Sequence, residues 1–135
     1  VVELVETTIV PVVELVETAR PLMAGLTDPE DAKLLVLARA HRARAGSSTG
    51  AAVRDSDGRT YSAAEIGLPS LHLSAVQLAV AVAATSGVTG LEAVVVVGAD
   101  EVARSDQDVV REFAGDGVPI FLTRSSGDLV DTLTT

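Results

Sequence analysis

The stretch from Leu71 to Gly87 constrains this chain more than any other. It opens as Leu71-His72-Leu73-Ser74-Ala75-Val76-Gln77 and continues as Leu78-Ala79-Val80-Ala81-Val82-Ala83-Ala84. Ser74 followed three residues later by Gln77 has the spacing of a reciprocal helix cap, so a helix is predicted to begin there. The residues beyond are apolar on every side, which predicts a buried helix rather than an amphipathic surface one. Gly87 is a natural stop. Leu91-Glu92-Ala93-Val94-Val95-Val96-Val97 follows, a β-branched run of the kind found in central strands covered on both faces. A buried helix feeding a buried strand requires a layered α/β domain.

The rest of the chain fits that frame. Thr27 and Glu30 have capping-box spacing and Pro29 suits a first helical turn, so a helix is predicted from about residue 28 to Gly46. Leu34, Leu35, Leu37 and Ala38 give it an apolar stripe, and Arg39, Arg42 and Arg44 stand late, where the helix dipole favours cations. His41, among those arginines, is expected at the solvated surface. Gly50-Ala51-Ala52-Val53-Arg54 and Arg59-Thr60-Tyr61-Ser62-Ala63 flank Asp55-Ser56-Asp57-Gly58, a hairpin signal. Pro69 and Ser70 punctuate the approach to the central helix. A third helix is expected from Ser105 to Phe113, a strand over 118–123 and a short last strand over 128–133. The order α-β-β-α-β-α-β-(β) predicts a three-layer α-β-α domain with a mixed sheet.

Composition narrows the possible partners. Hydrophobic residues make up 47% of the 135 residues but aromatics only 2%, so the core must be Val, Leu and Ala, and little remains for stacking on bases. A formal net charge of -9 opposes phosphate-backbone partners and anionic membranes. With no cysteine there is no disulfide, no thiolate nucleophile and no cysteine zinc site. No apolar run is long enough to span a membrane and no secretory signal is visible, so a cytoplasmic protein is expected. Residues 1–8, VVELVETT, recur at 12–19 as VVELVETA. The repeat is too short for a solenoid unit, and residues 1–25 are expected to be an extraneous or poorly ordered tail ahead of a domain over 26–135.

The element order and the residues at its joints resemble the cytidine deaminase family. Gly50-Ala51-Ala52-Val53 before Asp57-Gly58 is similar to that family's Gly-Ala-Ala strand and Asp-Gly turn. Leu71-His72-Leu73-Ser74-Ala75-Val76 is similar to its Leu-Thr-x-Cys-Ala-Glu helix start. The resemblance covers roughly residues 28–133. It implies a homo-oligomer, a dimer or tetramer, and a zinc-bound water that attacks the base with a glutamate as proton shuttle. Three soft or borderline ligands leave zinc one open position and lower the pKa of its water.

This chain departs from the family at the residues that do the chemistry. Ser74 stands at the first-ligand position and Val76 at the proton shuttle. Ala103-Arg104-Ser105-Asp106-Gln107 stands where the Pro-Cys-x-x-Cys motif belongs, so Ser105 and Asp106 are degenerate positions too. A neutral serine is a poor zinc ligand, valine moves no proton, and one carboxylate beside a serine is not a zinc site. The ring-stacking Phe of the family falls on Ser47. Glu65 falls on the family's ribose-binding Asn-x-Glu pair: counting back from Ser74 it takes the Glu, counting forward from Gly58 the Asn. Glu65 is thus a candidate substrate contact, against a plain solvated carboxylate.

Other chemistries find less support. His72 has no second His or Cys to join it, and is expected at the rim or beside the sheet. A Ser-His-acid triad from Ser70 or Ser74, His72 and Glu65 or Asp106 lacks a nucleophile elbow. Gly87-Val88-Thr89-Gly90 and Gly98-Ala99-Asp100-Glu101 carry no phosphate-loop pattern. The sequence therefore predicts a cytidine deaminase-like domain without zinc, other cofactor or catalytic residue, serving structure, oligomerisation or regulation. Its alternatives are a module that binds a nucleoside unreacted, or a deaminase by descent.

Overall fold

The computed structural model describes residues 26–135; the repeat and the expected tail over 1–25 lie outside the described residues. Helix α1 spans Pro29–Ala45, β1 Gly50–Asp55, β2 Thr60–Ala64, β3 Ile66–Leu68 and β4 Leu71–Leu73. Helix α2 spans Ala75–Thr85, β5 Leu91–Val97, α3 Arg104–Ala114, β6 Pro119–Thr123 and β7 Leu129–Thr134. Five strands form one sheet in the order β2-β1-β5-β6-β7, and β3 and β4 form a separate two-stranded hairpin. Among the described residues only β5 and β6 run parallel, joined through α3; the other pairings are antiparallel, so the sheet is mixed as predicted.

Two apolar clusters make the three layers. On one face, Leu34, Leu35 and Ala38 of α1 meet Ala52, Val95, Val97 and Phe121. On the other, Val76, Ala79, Val80 and Ala83 of α2 and Val110 of α3 meet Ala51, Val53, Val94, Val96, Ile120 and Leu122. Alternate residues of β1, β5 and β6 thus serve opposite faces, as strand geometry demands. The β5 valines are buried on both sides. No described helix is long and apolar enough to cross a membrane.

Five local expectations need correcting. The cap of α1 is Asp28, not Thr27: its carboxylate accepts the Glu30 N–H at 2.8 Å, which puts Glu30 at the second helical position, too early to close a capping box. His41 is half-buried, its Nδ1 2.9 Å from Ser62 Oγ, because β2 passes beside the last turns of α1. Helix α2 is not buried all round, since Val82 is 40% exposed and Ala81 and Ala84 are exposed with it. Only one side of α2 faces the sheet, and alanine is small enough to tolerate the other. Pro69 and Ser70 form the turn of the β3–β4 hairpin, so Leu71-His72-Leu73 is strand and the helix proper starts after Ser74. The third helix begins at Arg104 on an Ala103 cap with no side-chain hydrogen bond, one residue earlier than predicted. The last strand forms within a residue of its expected limits.

The far end of β1 is closed by a buried acid. Asp55 is fully buried; its Oδ1 accepts the N–H groups of Asp57 and Arg59 at 2.8 and 2.9 Å, and its Oδ2 accepts the Tyr61 hydroxyl at 2.8 Å. Beside it, Arg54 bonds Glu92 at 2.8 Å and meets Asp31 at 3.0 Å, the latter a charge contact without hydrogen-bond alignment.

Candidate functional site

The near end of β1 is open. The N-termini of α2 and α3 point into a cleft of about 190 Å³ there. Thr49, Glu65, His72, Ser74, Val76 and Asp106 line it, together with Val96 and the loop residues Ala99, Glu101 and Ala103. Antiparallel pairing of β1 with β5 sets Gly50 opposite Val97, so the loops leaving both strands open on the same side.

Ser74 does what its spacing implies. Its Oγ accepts the Gln77 N–H at 3.0 Å, and Gln77 Oε1 accepts the Ser74 N–H at 2.9 Å, a complete capping box. The same Oγ donates to Asp106 Oδ1 at 2.6 Å and so ties the start of α2 to the first turn of α3. Such a bond to a carboxylate is short and charge-assisted. Asp106 is only 8% exposed, and burial pushes its carboxyl above the ordinary aspartate value while the Ser74 hydrogen bond opposes the shift in part. Val76, 1% exposed, turns into the apolar core beneath the cleft.

The rim is polar and loose. Thr49 Oγ1 donates to Glu65 Oε1 at 3.2 Å, and His72 Nε2 lies 3.3 Å from Glu65 Oε2. Both Glu65 and His72 are exposed, as expected for a rim. Of the positions singled out in the sequence, the fold brings Glu65, Ser74, Val76 and Asp106 together. It does not bring Ser47 or Ser105 to the cleft: Ser47 is half-buried with its Oγ accepting the Thr49 N–H at 3.3 Å, and Ser105 is exposed on α3. Thr49 and Glu101 are lining residues that sequence reasoning missed as such. Thr49 had a signal, because it stands directly before β1 and its carbonyl accepts the Glu65 N–H at 3.5 Å.

The donors at this place do not fit a zinc ion. Ser74 Oγ is already engaged as acceptor and donor, Asp106 is one carboxylate, and the third and fourth donors have no counterpart. Among the described residues no three His, Asp or Glu side chains stand close enough to share a metal. Zinc takes thiolate, imidazole or carboxylate ligands in sets of three or four. The cleft carries Glu65, Glu101 and Asp106 against His72 alone, so its side chains offer mainly hydrogen-bond acceptors.

A three-layer domain with this mixed sheet and a cleft between two helix starts defines a class, and comparison with known proteins gives it a family. The family model described as cytidine deaminase-like matches residues 27–127, and the chain belongs to that family. Among solved structures, the cytidine deaminase of Burkholderia pseudomallei shares 23% identity with a TM-score of 0.68, covering 76% of this chain and 91% of that one. The Mycobacterium leprae cytidine deaminase gives 22% and 0.63, covering 79% and 94%. The Mycobacterium tuberculosis cytidine deaminase gives 24% and 0.60, covering 69% and 85%. At such identities the likeness is one of fold. No curated protein matches the chain.

Proposed function

We propose that this chain is a cytidine deaminase-like domain that binds no zinc and deaminates nothing, and that it serves a structural, oligomer-forming or regulatory role. The observation that carries the reading is the Ser74–Asp106 hydrogen bond. Side chains at the degenerate ligand positions bond to each other and cap a helix, while Val76, at the shuttle position, belongs to the core. Deamination needs a proton carried to the base, and no group beside Ser74 on α2 carries one. Exposed Leu68, Leu71 and Val82 support association with further copies of the chain. The test is cytidine turnover by the purified chain supplied with zinc. We expect none above a heat-killed control; sustained turnover would return the chain to the activity its relatives are named for.

The second reading is recognition of a nucleoside without reaction. It is supported by an open cleft that Glu65, Ser74 and Asp106 all line. A thermal-shift panel of nucleosides tests it: a saturable rise with one member, lost in Glu65→Gln, supports binding, and a flat response across the panel removes the reading.

A further inference from the structure

The basic side chains of the described residues fall into two sets. Lys33, Arg54, Arg59, Arg104 and Arg111 each hold a carboxylate at 2.8 to 3.8 Å. Arg39, Arg42, Arg44 and Arg124 hold none among the described residues, although the chain carries a net charge of -9. The dipole of α1 accounts for the placing of Arg42 and Arg44. It does not account for Arg124, which leaves β6 on the turn toward β7.

At one corner, two of these arginines reach loops next to a third, Arg124, whose carbonyl accepts the Gly127 N–H at 2.8 Å. Arg42 Nε donates to Ser48 O at 2.8 Å and lies 3.0 Å from where a Cβ on Gly98 would stand. Arg39 Nη1 lies 3.3 Å from the corresponding point on Gly127. The absence of side chains at Gly98 and Gly127 is therefore what lets two guanidinium groups of α1 reach the loops leaving β5 and β6. Those loops line an open cavity of about 430 Å³ through Gly98, Asp100, Arg124, Ser125 and Ser126. It sits outside the carboxyl ends of the parallel pair β5–β6, where open α/β sheets take their ligands.

We propose that this corner binds the phosphate group of a small soluble molecule. The planar guanidinium fork of Arg124, the arginine that lines the cavity, matches phosphate oxygens in pairs, and the Ser125 hydroxyl adds a neutral donor, while the Ser126 hydroxyl is held by Asp128 Oδ2 at 3.2 Å. Asp100, the acid of the lining, weakens the field for a bare anion and suits a hydroxyl or amine elsewhere on the same molecule. The cavity shares only Ala99 with the cleft beside Ser74, so the proposal stands apart from the loss of deaminase chemistry.

The experiment is a titration of the full chain with inorganic phosphate at ionic strength held constant with chloride, followed by amide chemical shifts. The expected result is saturable shifts at Gly98, Ser125, Ser126 and Gly127, with acetate giving no saturable change. Losing one charge-assisted contact in Arg124→Gln weakens binding about tenfold. Asp100→Asn tightens it, and Arg59→Gln, at the Asp55 turn, leaves it unchanged. Shifts that never saturate, saturation by acetate at similar concentration, or equal affinity in Arg124→Gln and the parent chain overturn the proposal.

Discussion

Asp55 and Asp106 are both buried, at opposite ends of β1, and the fold treats them in opposite ways. Burial pushes the Asp55 carboxyl up, but hydrogen bonds from Tyr61, Arg59 and Asp57 outweigh it and hold the group below the ordinary aspartate value. Asp106 has Ser74 alone, and burial wins. An acid surrounded by donors is one whose charge the structure uses, here to fix the turn between β1 and β2. An acid with one donor, facing a cleft, is one whose charge the structure tolerates. The difference separates an acid that fixes a turn of the scaffold from an acid that faces a cleft with a single donor.

Substitutions sharpen the contrast. The largest loss of thermal midpoint is expected for Asp55→Ala, which strands the Tyr61 hydroxyl and two backbone N–H groups. Retention of the parent midpoint would show that the turn holds without its acid. Val76→Glu puts a carboxylate at a core position and is expected to cost roughly 2–4 kcal/mol in urea unfolding. A neutral effect would mean the cleft floor is wetter and more forgiving than its aliphatic surroundings imply. Ser74→Ala removes a helix cap and the donor to Asp106, a loss of about 1–2 kcal/mol by the same measurement.

Asp106→Asn should be the mildest change near the cleft, and its sign depends on pH. A carboxyl whose folded pKa is raised favours folding below its unfolded value and loses that contribution as pH rises through the folded value. The asparagine chain should therefore gain on the parent as pH rises from acid to neutral. Asp55 works the other way: its contribution is present above the ordinary aspartate value and disappears as pH falls through the lowered one. Urea midpoints measured across the acid range separate the two, and a destabilised Asp106→Asn chain at neutral pH would contradict the assignment. Glu65→Gln, exposed at the rim, should change stability by less than about 0.5 kcal/mol.

How legible each region was in the sequence follows from the same contrast. The apolar periods of α1 and β5, the Asp-Gly turn and the Ser74–Gln77 cap are local patterns, and the fold reproduces them. The β3–β4 hairpin was missed because Leu71-His72-Leu73 reads as the approach to a helix, and three-residue strands carry no period. The exposed side of α2 was missed because an alanine-rich helix reads as apolar all round whether or not a neighbour covers it. Asp55 as a staple and the Ser74–Asp106 bond depend on side chains meeting across 6 to 32 residues, which spacing alone does not state. Glu65, Ser74 and Asp106 were named from family resemblance, and their meeting in one cleft is the structure's contribution.

The cleft beside Ser74 is expected to hold no metal, and zinc content measures this most directly. The full chain, equilibrated with excess zinc and then dialysed, should retain far less than one zinc per chain, with Ser74→Ala and Asp106→Asn unchanged from the parent. Close to one zinc per chain, lost in either variant, would contradict the account.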